Sequence, residues 1–224
     1  MEEKSLSTAF ADSLKEESIA CIGEYAEIGL DAVMEDGILK DIPIVSTAVA
    51  LYKIGSSIKE RHNLKKLLLF LNTLNDGMAD ENKRKEYRQK FQRNEKFRNQ
   101  EIEYLLVLID RYISYDKPQM LAKIYLAYLR NEIDWLIFCK YSEIIDRFLP
   151  CDKEYFLTER ALYRTISHPI PDSFIRLSAF GLYEEHMTDI SVPTTLGAIT
   201  IPAKQEKTYR LTEFGEKLQD ILND

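Results

Sequence analysis

The sequence predicts a mainly α protein, with an N-terminal helical bundle over residues 1–150 followed by a small α+β module over residues 151–224. Three observations lead there. Glycine and proline are scarce, 8 and 7 among 224 residues, while good helix formers such as Leu, Lys and Glu abound. Apolar side chains recur at spacings of three and four as far as Leu149, the period of one helical face. Only after Gly181 do β-branched stretches alternate with Pro and Gly, as short strands do.

The bundle is expected to wrap one helix, Pro43 to Leu74. Pro43 suits a first helical turn, where its missing N–H costs nothing. From Ile44 to Ile58 the side chains are apolar or small, which predicts burial on several sides. Lys53, Lys59, Arg61, Lys65 and Lys66 then enter among Ile58, Leu64, Leu67, Leu68 and Leu71, and predict a wet, basic face. The uninterrupted apolar run, Ile42 to Tyr52, is 11 residues. A membrane-spanning helix needs about 20. A core helix is therefore the first reading. The second is a surface that meets a partner or an anionic bilayer through Ile44, Val45, Val49, Leu51, Lys53, Lys59, Arg61, Lys65 and Lys66.

Around that helix the elements follow in order. Phe10, Leu14, Cys21, Ile22, Tyr25 and Ile28 predict one or two helices in the head. Asn75-Asp76-Gly77 is a turn signal. Residues 78–99 are so charged that only Tyr87, Phe91 and Phe97 can anchor them, and their mixed signs suit a solvated helix better than a phosphate-binding one. Three helices follow, Glu101 to Ser114, Pro118 to Arg130 and Asp134 to Leu149, the last with Asp134 as N-cap. Trp135 and the tyrosines sit at helical intervals beside Leu and Ile and read as core anchors. Helices are also predicted from Asp152 to Ile166, from Ser173 to Phe180 with Gly181 as its left-handed end, and from Glu213 to Leu222 with Thr212 as cap. Strands are predicted at Leu182 to Val192, Leu196 to Ile201 and Thr208 to Leu211.

Charge is unevenly spread. The net −7 divides into −8 over residues 1–36, +5 over 37–111, zero over 112–149 and −4 over 150–224. The acidic head and basic middle attract each other, although exposed ion pairs contribute only about 0–1 kcal/mol each. The N-terminus carries acids where a signal peptide has bases, and no apolar core follows, so a cytoplasmic protein is expected. Cys21, Cys139 and Cys151 are odd in number and far apart, which indicates neither a disulfide framework nor a zinc site.

No catalytic motif is present. His62, His168 and His186 have no ligand partners at metal spacing, and the GxxxxGK[ST], GxGxxG and GxSxG patterns are missing. No cofactor or metal is expected, and no catalytic residue is nominated.

The C-terminal third resembles a winged-helix domain. Leu177, Gly181, Leu182 and Tyr183 match the phrase that ends a recognition helix, and Tyr209-Arg210-Leu211-Thr212-Glu213-Phe214-Gly215 matches the strand and helix after the wing. For a DNA-binding member the resemblance implies contacts from Arg176, Lys204, Lys207 and Arg210. The −4 charge of residues 150–224 opposes phosphate, so a protein-contacting module is the first expectation and a DNA-binding transcriptional regulator the alternative. The whole layout, an apolar stretch before charged helices and a close on LTEFGEKL, resembles bacterial abortive-infection proteins of the alpha type. That resemblance implies a role in stopping phage growth. The expectation is thus a non-enzymatic interaction or effector protein, with a protein partner or a second copy, and with peripheral membrane contact as one route.

Overall fold

The computed structural model describes residues 58–77, 95–158, 163–165, 172–189, 194–196, 199–201 and 205–224. The expected start of the central helix at Pro43, the head, the charged stretch before residue 95 and the His168 elbow lie outside them, as do Ile44, Val45, Val49, Leu51, Lys53 and Lys204. The described residues are mostly helical, with a small antiparallel β part near the C-terminus. The chain divides into two compact units, Met1–Asp146 and Arg147–Asp224.

In the first unit, α1 (Ile58–Asp76) carries the leucine-rich second half of the expected central helix. Leu64, Leu67, Leu68, Leu69, Phe70, Leu71 and Leu74 are all buried, so the helix is enclosed on nearly every side beyond its first turns. It packs mainly on α3 (Asp116–Leu129) and also on α2 (Glu95–Arg111). It stops where the turn signal predicts, with the Gly77 N–H donating to Thr73 O. Asn131 adopts φ 59° after α3, and the Glu132 N–H reaches Ala127 O at 2.9 Å, a Schellman closure with Asn in the left-handed position. Asp134 then caps α4 (Trp135–Arg147) by accepting from the Ile137 N–H at 2.8 Å.

The second unit opens with α5 (Pro150–Thr158). Helix was expected through Ile166, but Tyr163–Thr165 is a strand, β1. Its register explains the difference: Tyr163 lies opposite Tyr209 and Thr165 opposite Lys207, and aromatic and β-branched residues settle well on such a ladder. Then come α6 (Asp172–Ala179), β2 (Tyr183–Asp189), β3 (Thr194–Leu196), β4 (Ile199–Ile201), β5 (Gln205–Leu211) and α7 (Glu213–Asn223). The stretch expected as one strand, Leu196 to Ile201, is instead part of the β3–β4 hairpin. The main sheet has the order β1-β5-β2, with β5 antiparallel to both neighbours.

Gly181 ends α6 at φ +74°, and the Leu182 N–H closes on Leu177 O at 3.0 Å. A residue with a Cβ would be strained in that conformation. Phe156, Phe174, Leu177, Leu182, Tyr183, Tyr209, Leu218 and Leu222 form this unit's core, with the Phe174 and Tyr183 rings edge to face at 5.1 Å.

Candidate interaction surfaces

The basic end of α1 divides into surface and interior. Lys59 and Arg61 are exposed, and Lys65 is half-buried with its ammonium 4.6 Å above the Tyr115 ring. His62 lies against the same ring, its Nδ1 hydrogen-bonded to the Tyr115 hydroxyl at 2.9 Å.

Lys66, expected on the wet face, is instead 1% exposed. Its Nζ donates to Asp110 O at 2.9 Å and to Tyr112 O at 2.6 Å, the carbonyls where α2 ends. The reason is electrostatic: the last carbonyls of a helix lack intrahelical partners and carry partial negative charge, which suits an ammonium. Burial lowers the Lys66 pKa, the nearby Asp110 partly restores it, and Lys59 lowers it further. Lys66→Met keeps the stem and removes the donors, and is expected to cost about 2 kcal/mol. Thermal unfolding followed by circular dichroism checks this, and an unchanged midpoint contradicts the clamp.

Inside the same unit, Trp135 stacks on Phe138 at 4.9 Å and meets Tyr128 and Tyr104 edge on at 5.3 and 5.6 Å. This is the anchor role read from the helical spacing. The sequence reading missed Glu101, a buried carboxylate that accepts from the Tyr128 hydroxyl at 2.6 Å and from that of Tyr125 at 3.4 Å. Burial raises the Cys139 thiol pKa and outweighs the hydrogen bond from Tyr104, which lowers it, so the sulfur stays protonated and a poor nucleophile.

In the second unit, Arg176 on α6 is turned toward its own fold. Its Nη2 donates to Asp152 Oδ1 at 2.6 Å and its Nε to both carboxylate oxygens at 3.1 Å, with Ser173 Oγ at 3.3 Å. Asp152 is fully enclosed, and also accepts from the Leu149 N–H at 3.1 Å, which caps α5. Burial pushes its carboxyl pKa up, but the hydrogen bonds from Arg176, Leu149 and Ser173 outweigh that and hold it below the usual range. Among the residues that face outward from α6 is Ile175, 56% exposed.

Of the other residues expected to touch nucleic acid, Lys204 lies outside the described residues, and Lys207 and Arg210 belong to β5 rather than to α6. Arg210 is exposed on β5, directly across from Glu184. Lys207 lies on β5 between Thr165 and Met187 of the flanking strands. Asp152 was missed as a partner for Arg176 because the two are 24 residues apart, although its place three residues after Leu149 is a capping position.

Among the described residues, no group of His, Cys, Asp and Glu is placed to hold a metal ion. No described helix is long and apolar enough to cross a membrane. No protein-family model, curated protein or solved structure matches the chain.

Proposed function

We propose that this is a non-enzymatic interaction protein whose C-terminal unit is a winged-helix-like module that grips protein rather than DNA. The observation that carries the reading is the Arg176–Asp152 pair. A base-reading helix must offer free donors to the groove. Here the one arginine of α6 is neutralised by an enclosed carboxylate, and Ile175 faces outward. The order of elements supports the winged-helix part: α6, then β2, a β3–β4 hairpin where the wing belongs, then β5 returning between β1 and β2, and a closing helix. Arg210, facing Glu184 across the ladder, adds little attraction for phosphate.

Fluorescence anisotropy with a labelled mixed-sequence duplex tests the reading against its alternative. At near-physiological salt the expected Kd is weaker than about 100 μM, the weak end of non-specific binding. A low-micromolar Kd that collapses when Lys204, Lys207 and Arg210 are changed to Glu makes the module a DNA-binding regulator instead. The resemblance to abortive-infection proteins supplies the cellular setting, bacterial phage defence. There, production of the wild-type chain lowers phage plating and Ile175→Glu restores it; equal plating with and without the chain removes that setting.

A further inference from the structure

On α1, Ile58, His62, Lys65 and Leu69 fall on one stripe at successive turns. The Tyr115 ring lies over the middle of that stripe, against His62 and Lys65. Ile113 sits between Tyr112, whose carbonyl holds Lys66, and Tyr115. The two isoleucines therefore flank a single corner, and they are almost wholly exposed, Ile58 at 89% and Ile113 at 85%. Most exposed apolar side chains need no explanation. Two isoleucines this bare, bracketing a tyrosine and lysines, have the composition of an interfacial anchor: aliphatic tips, an amphipathic ring and cations on long stems.

The charge of the corner has the matching sign. On the first turns of α1, Lys59, Arg61 and Lys65 stand with Glu60, three cations to one carboxylate, while deeper in Lys66 and Lys117 lie near Asp110, Asp116 and Asp146. Arg111 is engaged with Asp146 and, at 3.8 Å, with Glu143. Lys66 and Lys117 are held inward by carbonyl oxygens, of Asp110 and Tyr112 and of Asp146, which leaves Lys59, Arg61 and Lys65 as the cations nearest solvent. The Lys66 bonds also tie α1 to the α2–α3 connection, and a corner fixed in advance loses little freedom on docking.

We infer that this corner docks on an anionic bilayer surface, with Ile58 and Ile113 entering the headgroup boundary, Tyr115 at headgroup level, and Lys59 and Lys65 meeting lipid phosphates. The helix stays folded and no segment crosses the membrane. Nucleic acid fits less well, because a phosphate-sugar backbone offers nothing to two bare isoleucines.

The full chain is sedimented with phosphatidylcholine vesicles containing about 30% phosphatidylglycerol and with pure phosphatidylcholine vesicles. The expected result is partition onto the anionic vesicles only, weakened by added salt. Lys59→Glu with Lys65→Glu lowers it at least about tenfold, since each lysine near such a surface contributes about fivefold. Ile58→Ser with Ile113→Ser lowers it as well, and unchanged circular dichroism melts show that both variants fold. Partition indifferent to lipid charge, no partition at all, or partition untouched by both variants overturns the inference. So does a corner that cross-links to a protein while both variants still sediment with lipid. Ile175→Glu leaves vesicle partition intact, which separates this surface from the protein-contacting face of α6.

Discussion

Asp152→Ala is expected to lower the stability of the C-terminal unit by about 3 kcal/mol. Two effects combine. Removing one member of a buried pair costs about 3–5 kcal/mol when the partner stays enclosed, and less here because the Arg176 side chain is 35% exposed and can rehydrate. The cap on the Leu149 N–H is also lost, which contributes about 1 kcal/mol. For a unit of this size the change corresponds to roughly 10–20 °C in Tm, readable by calorimetry on the intact chain. Asp152→Asn keeps the volume and one acceptor and is expected to lose about half as much. A double-mutant cycle with Arg176→Met isolates the pair itself. Coupling indistinguishable from zero would show that Asp152 acts only as a cap.

The same pair sets a pH dependence. The Asp152 carboxyl is held lower in the fold than in the unfolded chain, so the unfolded state binds its proton more readily. Its contribution is fully present above the unfolded value, about 3.9. It is lost as pH falls from there through the folded value. Wild type should therefore lose stability in that acidic window more steeply than Asp152→Ala, and parallel curves contradict the assignment.

Much of the architecture was legible because it rests on local chemistry. Asp134, Thr212 and Gly181 do what their residue types favour: two side chains satisfy orphan N–H groups and one glycine turns left-handed. What failed depended mostly on partners far along the chain. Tyr163–Thr165 reads as helix until β5 stands beside it, and Gly197-Ala198, a two-residue step of the kind that joins hairpin strands, falls inside the stretch that reads as one strand. The candidate surfaces were less legible for the same reason. A lysine among lysines looks wet, yet Lys66 is inside because the end of α2 lies against it. An arginine on a recognition-like helix looks like a reader, yet Arg176 serves Asp152. Helical period identifies a face but not what the fold puts opposite it.

Gly215→Ala is the companion prediction, expected to cost about 2–4 kcal/mol at a position where helix propensity alone predicts a gain of up to about 1 kcal/mol. Gly215 lies in the first turn of α7 and donates its N–H to Thr212 Oγ1 at 3.0 Å. A Cβ built there falls well inside contact distance of the Leu182 carbonyl oxygen, 3.0 Å from its carbonyl carbon and 3.1 Å from its Cα. These atoms are backbone and cannot swing aside. They are also pinned, since Leu182 O accepts from the Thr212 N–H at 3.0 Å while the Leu182 N–H closes the end of α6. The glycine therefore marks the point where the end of α6, the start of β2 and the first turn of α7 meet, and a methyl group must push all three apart. Glu216→Ala, one residue on and exposed, is the matched control and should stay within about 0.5 kcal/mol of wild type. Urea unfolding of the two variants decides the matter. A Gly215→Ala midpoint at or above that of wild type means that α7 does not approach Leu182 so closely, and that the glycine of the LTEFG phrase has no packing role.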